Sequence, residues 1–292
     1  MRKYEYLKMI NQEMAKSLLP MRFPESNKGD FGRLLCICGS RKMPGAACFA
    51  VRAATKCGVG LVEAAIPESI YNIVASNIPE ALIFPYEDEK NIEDIILEKS
   101  KKSAAVLIGP GMGWNEKTKK IVFNMIRNCT LPMIIDADGI NVISENIDIL
   151  KDARSEIVLT PHPKEMSRLN KEKTEEIVLK KAEYAREFAK KYGVTLIIKG
   201  HETVISDKEG IIYVNKTGNE SMAKGGSGDV LSGMIGAFLA QGVAPKDAGI
   251  ISVYIHGFAG DVCKKELSSF SVTPTDLINN LYKVFLKLKN KR

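Results

Sequence analysis

The stretch from Asn215 to Asp229 carries the residues whose types and spacing best suit chemistry. Gly225, Gly226 and Gly228 directly precede a run with apolar residues at helical spacing. That run contains Leu231, Met234, Ile235, Phe238 and Leu239. A glycine-rich turn that opens a helix leaves backbone N–H groups unpaired, and the helix dipole adds partial positive charge there. The stretch therefore predicts an anion hole for a phosphate or for a phosphoryl group in transfer.

Asp229 stands in the first turn of the same predicted helix. A carboxylate beside an anion hole repels phosphate, so it does not serve to bind one. It is suited to take a proton from a hydroxyl group that attacks the phosphate. The alternative is that the glycines form a tight turn and Asp229 only starts the helix, because isolated glycine-rich loops are weak signals.

Composition excludes several classes of protein. The 292 residues are 45% hydrophobic and 26% charged, which is typical of a globular protein with a large core. The net charge of +7 comes from scattered lysines that are enriched at the two ends, so it favours anionic small substrates over nucleic acid. Without an apolar run of 18 residues or a signal peptide, the sequence predicts no membrane segment.

The cysteines and histidines predict neither disulfides nor a protein-bound metal. None of the six cysteines forms a C-x-x-C pair, and most lie in apolar runs, as buried thiols do in a reducing compartment. His162, His201 and His256 lack metal-ligand spacing. The expected location is the cytoplasm.

Short apolar runs alternate with helical periodicity along the chain. The pattern predicts strands at 34–38, 60–66, 80–84, 104–108, 132–139, 157–163 and 194–200, and a hairpin from 203–206 and 211–214. It predicts helices at 4–18, 44–56, 90–102, 115–128 and 174–192, after the glycine turn, and at 245–265 and 273–288. This alternation indicates a three-layer α/β/α fold with a mainly parallel central sheet. We expect one domain over residues 25–292, preceded by a helix and lead-in at 1–24.

Glycine-rich or polar loops follow the predicted strands. They are Gly39-Ser40, 109–113, 136–138, His162 and Lys199-Gly200. In open α/β sheets, ligands bind outside the carboxyl ends of the strands. These loops are therefore expected to meet along one rim of the sheet.

At these loops the chain resembles the NAD(P)H-hydrate dehydratases, which are ribokinase-like enzymes. The resemblance runs from about residue 25 to the C-terminus. It is carried by Lys28-Gly-Asp-Phe-Gly-Arg33, Gly39-Ser40, Pro44-Gly-Ala-Ala47, Gly109-Pro-Gly-Met-Gly113, Asp136-Ala-Asp-Gly139, Leu159-Thr-Pro-His-Pro163 with Glu165, Lys199-Gly-His-Glu-Thr203, and Asn215 to Asp229. The Thr-Pro-His-Pro and Gly-Gly-Ser-Gly-Asp blocks at this separation are its most specific part.

The resemblance implies repair of hydrated nicotinamide cofactors. Similar enzymes dehydrate the S epimer of NADHX and NADPHX to NADH and NADPH. They use ADP or ATP, with Mg²⁺ expected, and ADP is favoured here because similar stand-alone chains use it. The partner implied is an NAD(P)H-hydrate epimerase. Only about 25 residues precede the matched region, so we expect that epimerase on a separate chain. Similar proteins are homo-oligomers, often tetramers.

The same resemblance assigns roles to residues. Asp229 is the base that activates the ring hydroxyl, and the N–H groups of Gly226, Ser227 and Gly228 form the anion hole. The nucleotide is expected at Lys199, Gly200, His201, Glu202, Thr203 and Gly228. The hydrate is expected at Ala46, Gly111, His162 and Asp229.

Simpler roles remain open for several of these residues. His162, between two prolines, could cap a rigid turn, and Lys199 could be a solvated charge. Asp136 and Asp138 are better suited to bind neighbouring loops or to cap the next helix than to act directly in catalysis. His201 and Glu202 could contribute only their backbone.

Three other functions compete with cofactor repair. A ribokinase-like kinase of a small vitamin alcohol would share the glycine loop and the aspartate. A non-catalytic nucleotide sensor would gain nothing from Asp229. A nucleic-acid binder would need an aromatic platform or a basic motif, and the sequence offers neither.

Overall fold

The computed structural model describes residues 7–87 and 90–289. Its strands form one ten-stranded sheet. The strands are β1 (Leu7–Met9), β2 (Arg33–Ile37), β3 (Leu61–Pro67), β4 (Leu82–Tyr86), β5 (Ala105–Ile108), β6 (Met133–Ile135), β7 (Ile157–Leu159), β8 (Thr195–Ile198), β9 (Thr203–Ser206) and β10 (Ile212–Asn215).

Helices cover both faces of this sheet. They are α1 (Gln12–Ser17), α2 (Pro44–Lys56), α3 (Tyr71–Asn77), α4 (Ile92–Ser100), α5 (Glu116–Asn128), α6 (Asp138–Ile143), α7 (Pro163–Asn170), α8 (Thr174–Leu179), α9 (Lys181–Tyr192), α10 (Ser227–Ala240), α11 (Pro245–Ser271) and α12 (Pro274–Lys289). None of these helices combines the length and the apolarity that a bilayer crossing requires.

The strands lie in the order β1-β10-β9-β8-β7-β6-β5-β2-β3-β4. Every described pair is parallel except the two pairs made by β9, which runs against β8 and β10. The loops that follow β2, β5, β6, β7 and β8 therefore leave the sheet at the same edge. The predicted three-layer fold with a mainly parallel sheet is confirmed.

The central strands are buried on both faces. Along β2, Leu34 and Cys36 belong to one core cluster, whereas Leu35 and Ile37 belong to the other. Helices α2, α10, α11 and α12 close the first cluster, and α4, α5 and α9 close the second. This double burial explains why the strands read as continuous apolar runs instead of an alternating pattern.

Several sequence predictions need correction. The helix expected at 4–18 is wrong in its first half, because Leu7–Met9 pairs with β10 as an edge strand and the helix begins at Gln12; residues 1–6 lie outside the described part. The helix expected at 174–192 is two helices that meet at Lys180, whose backbone leaves the helical region. Helices α3, α6 and α7 were missed, since each is short.

The close crossing of α10 over α2 gives a stability prediction. A Cβ atom on Gly233 would lie 2.0 Å from the Ala50 carbonyl oxygen, and both groups belong to helix backbones that cannot yield locally. We expect Gly233→Ala to destabilise the fold by about 1–3 kcal/mol in urea unfolding. Gly45→Ala is the control, because its Cβ would meet only Phe49 at 3.8 Å. Equal stability of the two variants would refute this packing argument.

Candidate active site

Direct hydrogen bonds join the loops at the carboxyl edge of the sheet. The Gly39 N–H donates to the Pro110 carbonyl at 2.7 Å, and the Lys199 N–H donates to the Pro161 carbonyl at 2.9 Å. The Gly113 N–H donates to Asp138 Oδ2 at 2.7 Å. The expected convergence of these loops is therefore observed, and so is the role of Asp138 in binding a neighbouring loop.

A buried ion pair lies at the centre of this edge. Lys199 Nζ is 2.6 Å from Asp136 Oδ1, and the two side chains are only 15% and 1% exposed. The hydroxyl group of Ser232, on α10, hydrogen-bonds the other oxygen of Asp136. Burial lowers the pKa of Lys199 and Asp136 raises it, and the net shift is upward, so the ammonium stays charged. Lys199 is thus not a solvated surface charge.

The N-terminus of α10 opens beside this lysine. Gly226 is the N-cap residue in a left-handed conformation, and no side chain caps the helix. Of the three N–H groups expected to form the anion hole, that of Ser227 is instead engaged by the Lys224 carbonyl at 3.3 Å. The N–H groups of Gly226 and Gly228 find no partner in the described ranges. A Cβ atom on Gly228 would lie 3.4 Å from Lys199 Nζ. Free N–H groups and an ammonium thus adjoin one another, as an anion hole requires.

Asp229 extends from the first turn of α10 next to these groups. Burial, and after it the charge of the neighbouring Asp136, raises the pKa of its carboxyl group from 3.8 to about 7, against the opposing effect of Lys199. A carboxyl group with such a pKa exists partly as carboxylate at neutral pH. It can therefore accept a proton and release it again, which suits a general base.

A cavity of about 650 Å³ opens on the β8–β10 side of the site. All the residues expected to hold a nucleotide line it, namely Lys199, Gly200, His201, Glu202, Thr203 and Gly228. Ser227 and His256 also line it, and each has a buried polar atom, Oγ and Nε2 respectively, that finds no partner in the described ranges. Buried polar atoms without partners are uncommon and costly. These two are available to a ligand.

Hydrogen bonds from a lysine side chain fix the loop between β8 and β9. Lys181 Nζ, at the start of α9, donates to the His201 carbonyl at 2.7 Å and to the Glu202 carbonyl at 3.2 Å. The side chains of His201 and Glu202 are exposed. This arrangement suits residues that contribute mainly backbone.

The loop after β5 packs directly on the N-terminus of α2. Gly111 has φ +66°, and a Cβ atom on it would lie 2.7 Å from the Ala46 Cβ and 3.0 Å from the Met43 carbonyl oxygen. The absence of a side chain keeps this approach open. Two of the expected hydrate contacts, Ala46 and Gly111, are thereby brought together.

His162 is the N-cap residue of α7. Its Nδ1 accepts from the backbone N–H groups of Lys164 and Glu165 at 3.1 and 3.2 Å, and the Glu165 carboxylate accepts from the His162 N–H at 2.8 Å. Burial, followed by the charge of Lys199, lowers the pKa of His162 to about 4, so the ring is neutral at pH 7. The capping role left open above is present. The side chain remains 46% exposed, and it lies outside the 650 Å³ cavity.

Sequence reasoning missed the contributions of Ser232, Lys181 and His256, and it named Glu165 only as part of a motif, without a role for its carboxyl group. Ser232 and His256 lie inside apolar helical runs, where a polar residue at a buried position is the available signal. Burial raises the pKa of Glu165. Lys181 left no signal, since it reads as one of many lysines on a polar helix.

No group of three or more histidine, cysteine, aspartate or glutamate side chains in residues 7–87 and 90–289 is arranged to hold a metal ion. Asp136, the most buried carboxylate of the site, is already engaged by Lys199 and Ser232.

Known proteins resemble this chain in sequence. The ADP-dependent (S)-NAD(P)H-hydrate dehydratase of Bacillus subtilis is 32% identical over 278 residues, which cover 95% of this chain and 98% of that protein. A bifunctional NAD(P)H-hydrate repair enzyme of Thermofilum pendens is 35% identical over 278 residues, 93% of this chain but 53% of the relative. The chain thus spans about half the length of such bifunctional relatives.

Solved structures of similar proteins match the fold of this chain. The crystal structure of the B. subtilis ADP/ATP-dependent NAD(P)H-hydrate dehydratase, co-crystallised with ATP/Mg²⁺, matches with a TM-score of 0.84 at 30% identity, covering 96% of this chain and 98% of that one. A ribokinase-like superfamily protein of Enterococcus faecalis matches with a TM-score of 0.84 at 25% identity, covering 99% and 98%. The fold is therefore ribokinase-like. Residues 34–283 match the profile of the NAD(P)H-hydrate dehydratases, and the chain belongs to that family.

Proposed function

We propose that this protein dehydrates the S epimer of NADHX and NADPHX back to NADH and NADPH, using ADP as phosphoryl donor. One observation carries the proposal. Asp229, with a pKa near 7, lies beside the Lys199 ammonium and the open N-terminus of α10, next to a cavity that can hold a nucleotide. That arrangement serves phosphoryl transfer to a hydroxyl group.

The reaction would run in two stages. Asp229 takes the proton of the ring hydroxyl group, and the oxygen of that hydroxyl group forms a bond to the terminal phosphorus of the nucleotide. The bond between this phosphorus and the bridging oxygen of the nucleotide breaks, so the rest of the nucleotide is the leaving group. The hydroxyl group, a poor leaving group, thereby becomes a phosphate ester. The carbon–oxygen bond then breaks, inorganic phosphate departs, and loss of a proton from the adjacent ring carbon restores the dihydronicotinamide.

The residues have distinct parts in this scheme. Lys199 and the N–H groups of Gly226 and Gly228 stabilise negative charge on the phosphoryl group in transfer. Gly111 and Ala46 let the ring approach the backbone, and His162 offers its neutral ring at the exposed edge. Mg²⁺ would neutralise nucleotide phosphates, and the lack of a protein cage among the described residues is compatible with a cation that the nucleotide carries.

The wider setting is also a proposal. Bifunctional relatives in which this region forms about half of a repair enzyme support an epimerase as functional partner. All six cysteines are free thiols, which supports a cytoplasmic location. A homotetramer is proposed from the resemblance to proteins that form one.

A turnover assay tests the proposal. Purified protein, hydrated NADH and Mg²⁺ are mixed with ADP or ATP in separate cuvettes, and recovery of the dihydronicotinamide absorbance is followed. Recovery with ADP alone supports the proposal as stated, and recovery with ATP alone would reassign the donor. Tight nucleotide binding without recovery would instead favour a kinase of a small vitamin alcohol, to be pursued by screening alcohols for phosphate transfer.

The pH dependence of this assay is a further prediction. Because burial raises the pKa of Asp229 to about 7 and the base must be ionised, kcat/KM should fall about tenfold per pH unit below 7 and level off above it. Circular dichroism at each pH would exclude unfolding as the cause. A rate that stays constant down to pH 5 would show that an ordinary carboxylate, or another group, acts as base.

A further inference from the structure

The proposed reaction brings two nucleotides to one aspartate, and the inference that follows rests on that proposed function. The 650 Å³ cavity lies towards β8, β9 and β10. The expected hydrate contacts Ala46, Gly111 and His162 lie instead on loops after β5 and β7 and at the start of α2. A dinucleotide whose ring reaches Asp229 must therefore extend its adenosine half away from the cavity, along the loops of β5 and β7.

One aromatic residue follows the loop after β5 and is contacted by α7, the helix that follows the loop after β7. Trp114, the single tryptophan of the chain, directly follows the 109–113 loop, and it is 51% exposed. Its Nε1 donates to Glu145 Oε1 at 2.5 Å, and Lys119 Nζ is 2.6 Å from the other carboxylate oxygen of Glu145. The indole is thus held in place while half of its surface stays open to solvent.

Arg168 lies against this indole from α7, the helix that His162 caps. Its guanidinium carbon is 5.5 Å from the centre of the Trp114 ring, and its Nη1 donates to Asn141 Oδ1 at 2.7 Å. Asn141 in turn bonds Asp138, which accepts from the Gly113 N–H. The arginine is therefore connected to the same loop that carries Gly111.

Arg168 forms no short-range ion pair in the part of the chain that the structure describes, and its side chain bonds Asn141 instead. Across residues 7–87 and 90–289, no carboxylate lies within salt-bridge distance of its guanidinium. Its positive charge helps to lower the pKa of His162 and opposes the burial that raises the pKa of Glu165, in both cases after the larger effects of burial, Lys199 and Asp136. A partly buried guanidinium without a carboxylate partner suits a phosphate, which it can bind through two parallel hydrogen bonds.

We propose that Trp114 and Arg168 form the subsite for the adenosine half of the dinucleotide substrate, with the adenine against the indole and a phosphate on the guanidinium. An aromatic side chain binds a nucleotide base by stacking on its face. The phosphate could be the pyrophosphate, present in both cofactors, or the 2′-phosphate of the NADPH series. The experiment separates the two.

Kinetics with three substrates test the subsite. Trp114→Ala and Arg168→Gln are compared with wild type on hydrated NADH, hydrated NADPH and hydrated reduced nicotinamide mononucleotide, which lacks the adenosine half. We expect KM for the dinucleotides to rise about tenfold with kcat nearly unchanged, while kinetics with the mononucleotide stay as in wild type. Trp114→Phe should recover most of the affinity, because it keeps an aromatic ring for the adenine. The small remaining loss would reflect the missing hydrogen bond to Glu145. Arg127→Gln, which removes an exposed arginine of α5, is the charge-matched control.

The pattern of losses identifies the phosphate. An Arg168→Gln defect with both dinucleotides assigns the pyrophosphate, and a defect confined to hydrated NADPH assigns the 2′-phosphate. Equal defects on the mononucleotide, or no defect on any substrate, would overturn the subsite.

A binding measurement keeps the subsite separate from the proposed reaction. Protein saturated with ADP is titrated with NADPH while Trp114 fluorescence is recorded, with Arg168→Gln in parallel. The subsite is supported, even if the turnover assay fails, if NADPH quenches the fluorescence and Arg168→Gln lowers the affinity for NADPH about tenfold. Normal turnover without quenching would refute the subsite and leave the proposed reaction standing.

Discussion

Replacing Asp229 by asparagine should abolish most of the turnover while leaving nucleotide binding intact. Asparagine keeps the size of the side chain but cannot accept the proton of an attacking hydroxyl, so kcat should fall roughly 10²- to 10⁴-fold. The nucleotide is expected in the cavity lined by Lys199 and Gly228, which Asp229 does not line, so its affinity should not decrease. The measurements are the hydrate turnover assay and calorimetric titration with ADP.

Thermal unfolding completes this test. Burial raises the pKa of Asp229 above its unfolded value of 3.8, so the ionised carboxylate is disfavoured in the folded state at neutral pH. The neutral variant should therefore melt no earlier than wild type. Glu175→Gln, in the exposed first turn of α8, is the matched control and should be fully active. If Asp229→Asn retained turnover within tenfold of wild type, the base would have to be another residue. If neither wild type nor Asp229→Asn showed turnover and both bound the nucleotide equally well, a nucleotide sensor would be favoured.

Breaking the Lys199–Asp136 pair should produce the largest loss of stability. Lys199→Met leaves a fully buried carboxylate whose remaining described side-chain partner is the Ser232 hydroxyl. Removing one member of a buried pair costs about 3–5 kcal/mol, because the other charge stays buried without compensation. We expect a loss of that size in urea unfolding, together with weaker nucleotide binding.

Two comparisons show whether burial is the cause. Lys208→Met removes a lysine that lies 3.1 Å from Glu156, with both side chains more than half exposed, and should cost less than about 1 kcal/mol. The double variant Lys199→Met/Asp136→Asn removes the stranded charge and should recover part of the loss. A Lys199→Met variant as stable as Lys208→Met would mean that the pair adds nothing to the fold.

Local signals were enough to predict most of the secondary structure. The Pro44 helix start and the small residues after it predicted α2 with the bounds that the structure has, and the turn at Asp207-Lys-Glu-Gly210 predicted the β9–β10 hairpin. Residues Leu7–Met9 were mispredicted because their edge strand is formed by pairing with β10, some 200 residues away, and no local pattern encodes that partner.

The sequence by itself also predicted which loops would meet and that Asp229 would lie in the first turn of a helix opened by a glycine-rich loop. That was possible because parallel strands place their following loops at one edge, whatever the details of packing. Only the tertiary structure decided how the charges are arranged. It paired Lys199 with Asp136, which lies 63 residues away, and covered that pair with Ser232 from α10. The upward shift in the pKa of Asp229 follows from burial among these groups, and burial is a property of the packed molecule that no spacing of residues along the chain specifies.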